Sequence, residues 1–265
     1  MQPYTIYRVL EAAPAPDSHG QCWVGEDVAE SIGLCEYQTI LPYLMTFLPR
    51  EGRILESGCG LGRWVFYLRQ RGFDVTGIDL ARRAVHMAKA YDPSAPILRA
   101  DVLHTPFPDH CFAAAISLGV VEHFEEGPQA ALAELRRVLK PGGNLFISVP
   151  VQTFLRRAIS HPLKDLYRWY RRRQGVAFAF DEYRFSCRAF ERDLTAARFE
   201  VLAVVADDFL PPKNLGLYAD LRFLQSRRTR WELNRFGKAL AAVLRSISPW
   251  AACAGAHCVA RRLPD

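Results

Sequence analysis

The chain has 265 residues, half of them hydrophobic, which suits one large α/β domain or one domain with a cap. No apolar run of 18 residues occurs, and residues 1–10 lack the apolar centre of a secretion signal, so membrane-spanning and secreted classes are set aside and a cytoplasmic protein is expected. The net charge of +6 is unevenly divided: residues 1–150 hold 13 Lys and Arg against 17 Asp and Glu, and residues 151–265 hold 21 against 11. The basic second part points to an anionic acceptor, a membrane surface or nucleic acid, with a solvated Arg-rich surface as the plain reading. Seven cysteines, an odd number without a C-x-x-C pair, read as reduced thiols. Cys253, His257 and Cys258 lack an evident fourth ligand, so no metal site is assigned.

Residues 1–35 precede the core as an extension. Pro14, Pro16, Asp17, Ser18 and Gly20 read as loop, while Tyr4, Tyr7 and Trp23 supply aromatic surface for a pocket, a lid or simple packing. A helix is expected from Glu36 to about Leu48, with Pro42 marking a kink or its true start. The first core strand is Arg53–Glu56, followed by a Gly-rich turn and a helix over roughly Gly62–Arg71. The second strand is Asp74–Ile78, a helix covers Ala81–Ala90, and the third strand is Ile97–Ala100. Phe112–Leu118 is a near-continuous apolar run, as in a strand buried on both faces. Ala131, Leu132, Leu135, Val138 and Leu139 fall at helical spacing within Gln129–Leu139. Pro141-Gly142-Gly143 stops that helix, and strand five is Asn144–Val149.

Residues 151–185 interrupt the alternation. Val151–Gly175 reads as a helix broken near His161-Pro162. It carries Arg156, Arg157, Lys164, Arg168, Arg171, Arg172 and Arg173 among Phe154, Leu155, Leu166, Tyr167, Trp169 and Tyr170. A helix at 187–197 and strand six, Phe199–Ala206, come next. A second mixed basic and apolar stretch covers 210–248, and His257–Arg262 can form one more strand. Strands alternating with helices argue for a doubly wound parallel sheet, whose ligands bind at the carboxyl ends of the strands.

Residues 54–62, Ile-Leu-Glu-Ser-Gly-Cys-Gly-Leu-Gly, read as a buried strand, a tight turn and a helix opening. Glycine lets the chain turn sharply and lets a ligand touch backbone. The helix start adds unpaired N–H groups and a positive dipole end. Such a place receives a nucleotide or the amino-acid end of a nucleoside cofactor. Asp79, 17 residues after Gly62, ends the second strand, where a carboxylate can accept two hydrogen bonds from ribose hydroxyls.

Glu56-x-Gly58-x-Gly60-x-Gly62 with Asp79 resembles class I S-adenosylmethionine (SAM)-dependent methyltransferases. It departs from the dinucleotide fingerprint because its third glycine comes one residue early. Arg99-Ala100-Asp101-Val102, the run from Ser117 to Phe124, and the run from Leu139 to Ser148 are similar to three later stretches of the family. The subgroup it resembles is that of quinone-biosynthesis and small-molecule methyltransferases. The resemblance implies an α/β, Rossmann-like, doubly wound, mostly parallel seven-stranded sheet. Its seventh strand runs antiparallel, and helical lid inserts follow strand five and separate strands six and seven. It implies an extension over 1–35, a SAM-binding core over 36–150, a basic aromatic insert over 151–182, and a completion of the core over 183–265 that contains the helical insert 210–248. The implied cofactor is SAM and the implied product S-adenosyl-L-homocysteine.

By the same resemblance, Gly58, Gly60 and Gly62 admit the methionine and ribose portions against backbone, and Glu56 orients the cofactor's ammonium. Asp79 holds the ribose hydroxyls and Leu80 packs on adenine. Asp101 accepts from the adenine amino group, the Val102 N–H donates to a ring nitrogen, and the Ser117 carbonyl faces the ammonium. Cys59 belongs to the same turn, where its side chain packs. His123 is the candidate base, with a structural or positioning role as its alternative; Glu122 and Glu125 are weaker candidates. The implied reaction moves a methyl group to a small-molecule acceptor, anionic or lipophilic, under the inserts. The alternatives are nucleic-acid methylation, a non-catalytic partner subunit, and an enzyme resting peripherally on a membrane. No recognised RNA module and no Asn/Asp-Pro-Pro-Tyr/Phe motif is present, which argues against nucleic acid. The sequence leaves oligomeric state open.

Overall fold

The structure, a computed structural model, describes residues 2–10, 25–154 and 156–264. The loop expected around 14–20, Trp23 and Leu155 lie outside the described residues. The described elements begin with strand β1 (Tyr4–Val9), which stands apart from the main sheet. The sheet itself is built from β2 (Ile54–Ser57), β3 (Val75–Asp79), β4 (Ile97–Arg99), β5 (Phe112–Leu118) and β6 (Leu139–Pro150), then β8 (Phe199–Asp207) and β9 (Gly255–Arg262). Their order is β4-β3-β2-β5-β6-β9-β8, parallel as far as β6, with β9 antiparallel to both its neighbours.

Alternation along each strand sorts the core into two layers. Ile54, Val75 and Ile116 point to one face, under α3 (Arg63–Arg69) and α4 (Arg82–Tyr91), and pack with Trp64, Leu68 and Ala88. Leu55, Ile78 and Ala115 point to the other, under α5 (Gln129–Val138) and α7 (Cys187–Ala196), and pack with Leu132, Leu135 and Phe190. A sheet covered on both faces explains why β5 is apolar at nearly every position.

Three features differ from the sequence expectation. The helix expected over 36–48 is a 3-10 turn (Leu34–Tyr37) followed by α2 (Leu41–Phe47), with Pro42 in its first turn, where its missing N–H costs nothing. An extra helix, α1 (Val28–Gly33), lies in the extension, capped by the Asp27 side chain accepting from the Glu30 N–H. The insert after β6 is not broken at His161-Pro162. A π-turn over Arg156–Ser160 runs into α6 (His161–Arg173), and Pro162 again occupies a first turn.

The insert is also not wholly helical. Its end is β7 (Phe178–Arg184), which pairs antiparallel with β1, Tyr4 opposite Arg184 and Val9 opposite Phe178. The second insert carries α8 (Gly216–Asp220) and α9 (Arg235–Ile247). Among the described residues no helix is long and apolar enough to cross a membrane.

Candidate cofactor site

The Gly-rich turn leaves β2 through three left-handed residues, with φ of 78° at Gly58, 53° at Gly60 and 74° at Gly62. A Cβ at Gly58 would lie 2.4 Å from Val120 Cγ2, and one at Gly62 would lie 2.4 Å from Ile97 Cδ1. Backbone conformation and space both demand glycine there. The Gly58 and Cys59 N–H groups donate to the Ile78 carbonyl at 2.9 and 2.8 Å, pinning the turn to β3. At the end of β3 the Asp79 carboxylate takes the Gly60 N–H on Oδ2 at 2.7 Å and the Ala81 N–H on Oδ1 at 2.8 Å.

Glu56 is buried beneath this turn and accepts from the Val65 N–H at 2.9 Å, in the first turn of α3. Burial pushes its carboxyl up to about 8, with Arg63 pulling the other way. Cys59 turns its sulfur toward Gly77, where a Cβ would come 2.9 Å from Sγ. Burial raises that thiol well above its ordinary value, so it packs and does not react. Leu80 is exposed directly after Asp79. Asp101, just beyond β4, accepts from the Leu103 N–H at 2.9 Å and keeps a half-exposed carboxylate, and Val102 is half-buried beside it. Ser117 is buried near the end of β5, its Oγ without a hydrogen-bond partner among the described residues. The structure thus brings Glu56, the three glycines, Asp79, Asp101 and Ser117 to one end of β4-β3-β2-β5. The connections leave β2 and β5 in opposite directions, which opens a crevice between them.

His123 lies on the 3-10 turn Val121–His123 after β5 and is exposed. Its Nδ1 is 2.9 Å from the Asp181 carbonyl of β7. With the proton assigned to Nδ1 as the donor, Nε2 is left as the basic nitrogen. The ring therefore also tethers the insert to the strand end. Glu125 is exposed, and its carbonyl accepts from the Tyr183 hydroxyl at 2.8 Å, a second tether.

Glu122 is more unusual than the sequence suggested. It is buried, Oε2 has no hydrogen-bond partner among the described residues, and burial raises its carboxyl to about 8, with Glu182 and Asp207 adding to the rise. Asp207, at the end of β8, escaped the sequence reading. Burial works to raise it, but His257, Arg63 and Arg156 together outweigh this and hold it below its ordinary value. Asp207 Oδ1 and His257 Nε2 are 2.9 Å apart. Two acids closing an apolar strand, Asp207-Asp208, were the available signal. Cys258 faces away from His257, as neighbours on a strand must, and packs with Phe190 and Leu194.

A crevice of this kind, floored by a buried acid and lined by a Gly-rich turn with an acid closing the next strand, is the arrangement that the resemblance to class I SAM-dependent methyltransferases implies. Residues 55–147 match the family model of the methyltransferase domain. It is 36% identical over 96 residues to a malonyl-[acyl-carrier protein] O-methyltransferase of Serratia marcescens, covering 36% of this chain and 37% of that protein. It is 34% identical over 104 residues to a tRNA (carboxymethyluridine(34)-5-O)-methyltransferase of Arabidopsis thaliana, covering 38% of this chain and 25% of that one. The chain thus spans less than half the length of these curated relatives. In fold it is similar to geranyl diphosphate C-methyltransferase of Streptomyces coelicolor, with a TM-score of 0.59 and 16% identity over 95% of this chain and 100% of that one.

Proposed function

We propose that the chain is a SAM-dependent methyltransferase acting on a small-molecule acceptor, anionic or lipophilic. The observation that carries this reading is Asp79, whose carboxylate receives the Gly60 N–H and the Ala81 N–H. The acid that closes β3 and the turn that closes β2 are therefore one preorganised unit. The residues present fit the cofactor. The left-handed glycines give backbone access, and Asp79 takes the ribose hydroxyls. Leu80 offers an apolar face to adenine, whose polar edge meets Asp101 and the Val102 N–H. Glu56 and the Ser117 carbonyl would hold the ammonium, whose charge would favour ionised Glu56.

Bound SAM supplies an electrophilic methyl on a sulfonium, so the chain's task is to place the acceptor atom in line and keep water away. His123 is the group at the acceptor end able to take a proton, whereas the buried Glu122, raised to about 8, already carries one near neutral pH. The malonyl-[acyl-carrier protein] and the geranyl diphosphate named for similar proteins support an anionic or lipophilic acceptor. The tRNA-modifying relative and the basic second half of the chain support RNA methylation as a second reading.

Calorimetric titration with S-adenosylhomocysteine, beside Asp79→Ala, tests the cofactor site. Saturable binding weakened by the substitution is expected; a folded wild type that binds nothing overturns the reading. Transfer of labelled methyl to small carboxylate and prenyl acceptors, compared with transfer to tRNA, decides between the acceptors.

A further inference from the structure

An amphipathic helix in a water-soluble domain normally buries its apolar stripe and shows its polar one. Helix α6 does the reverse. His161, Asp165, Arg168 and Arg172 share one face, at i, i+4, i+7 and i+11, and this polar face attaches the helix to β1. The Tyr4 ring stacks on His161 with 3.6 Å between centroids, and its hydroxyl donates to Asp165 Oδ1 at 2.7 Å. Arg168 also donates to Asp165 at 2.7 Å, and the Arg168 and Arg172 guanidinium groups lie 4.5 and 5.8 Å from the centre of the Tyr7 ring.

The opposite face carries Leu163, Leu166, Tyr167 and Tyr170, at i, i+3, i+4 and i+7. They are 60%, 60%, 53% and 54% exposed. Phe154 and Ile159, on the approach to the helix, are exposed as well. Lys164 and Arg171 border this stripe on one side. On the other stand Trp169 and Arg173, whose guanidinium is 4.0 Å from the indole centre. Residues 156–173 hold seven Lys and Arg and a single acid, Asp165.

We infer that α6 is an interfacial helix whose occupant is the surface of an anionic phospholipid bilayer. Charge and shape select this occupant. Acyl chains would cover Ile159, Leu163 and Leu166, while Tyr167, Tyr170 and Trp169 reach the headgroup level and the flanking bases meet lipid phosphates. Nucleic acid would pair with the bases and stack on the aromatics. It would leave the aliphatic centre of the stripe uncovered, because Leu and Ile offer no stacking face. A second copy of the chain, seated face to face on this stripe, would bring its bordering bases, Lys164, Arg171 and Arg173, against their own counterparts. The inference stands on α6 alone and is independent of methyl transfer.

Co-sedimentation of the full chain with phosphatidylcholine vesicles, with and without phosphatidylglycerol, tests it. Binding to the anionic vesicles is expected to be at least about tenfold stronger than to neutral ones and to weaken with salt. Leu163→Asp with Leu166→Asp should reduce vesicle binding at least about tenfold without changing S-adenosylhomocysteine binding. Should that variant fail to fold, Arg157→Gln with Arg173→Gln, at two exposed positions, should still lower the binding severalfold. Absence of binding to anionic vesicles at low salt overturns the proposal, as does undiminished binding by folded Leu163→Asp/Leu166→Asp. An RNA gel shift or a dimer in solution that the same double substitution abolishes, without any vesicle binding by wild type, also overturns it.

Discussion

The cofactor end of the sheet and the unit made by β1, α6 and β7 hold themselves together by different means. At the cofactor end the partners are mostly backbone. Gly58 and Cys59 give their main-chain N–H groups to the Ile78 carbonyl, and Gly60, Val65 and Ala81 give theirs to the strand-end acids Asp79 and Glu56. In the β1–α6–β7 unit the two strands pair through backbone, but α6 is held to β1 by side chains on segments about 160 residues apart, such as Tyr4 with Asp165 and His161. The first arrangement presets a pocket, because main-chain donors have little freedom to lose when a ligand arrives. The second leaves an apolar face turned outward and holds it with polar contacts that water can compete for. Rigidity and surface display are thus assigned to separate parts of one chain.

Gly62→Ala attacks the rigid part most directly. Left-handed strain combines with a Cβ pressed into Ile97, and the melting temperature should fall by roughly 10 °C. Gly142→Ala is its control. That glycine is also left-handed, at φ 77°, but has open space around it, and it should cost only about 2–4 °C. Equal losses would mean that the crowding at Gly62 is not what demands glycine.

Asp79→Ala should weaken S-adenosylhomocysteine binding on the order of 100-fold in calorimetry, through lost charge-assisted hydrogen bonds. A change of twofold or less would remove Asp79 from the cofactor site.

Glu56 gives the comparison a pH dependence. Its folded value, about 8, lies above the unfolded one, so folding keeps a proton that the unfolded chain releases. Its contribution to stability is complete at about pH 4.5 and below, and it is lost as pH rises to about 8. Glu56→Gln should therefore match wild type near pH 5 and melt a few degrees higher near pH 8.5 without ligand. Cofactor binding reverses the preference. Between pH 6 and 8 wild-type affinity should climb by up to about tenfold per unit relative to Glu56→Gln. Parallel pH profiles for the two proteins would rule out ionisation of Glu56 on binding.

Tyr4→Phe probes the other region and should have the smallest effect. Loss of its hydrogen bond to Asp165 should cost about 1 kcal/mol, a drop of about 2–4 °C, and leave cofactor affinity unchanged. A matching loss of cofactor affinity would show that the two regions are coupled.

The same division explains what was legible. The strands and the Gly-rich turn are local patterns. An apolar run, the alternate glycines Gly58, Gly60 and Gly62, and the acid at Asp79 stand in the sequence in the order in which they act. The pairing of β1 with β7 was invisible, because nothing local to Tyr4–Val9 specifies a partner near residue 180. Phe178–Arg184 also reads poorly as a strand, since every residue in it is only partly buried. Pro42 could be read as a kink or a start, and only the neighbouring 3-10 turn decides. Glu122 looked ordinary beside His123. Its distinction is burial among Glu182 and Asp207, residues that lie 60 and 85 positions away.

The placement of β9 between β6 and β8 has a consequence for how the sheet is assembled on the ribosome. Until residues 255–262 emerge, β6 presents an open edge and β8 has no place to dock in the sheet. Buried Arg262, which donates to the Leu139 carbonyl at the start of β6, is among the groups that arrive with β9. The nascent chain can complete its cofactor end well before then, but it carries a strand-wide gap through synthesis. That gap is the interval in which strand addition from a neighbouring chain competes with correct closure.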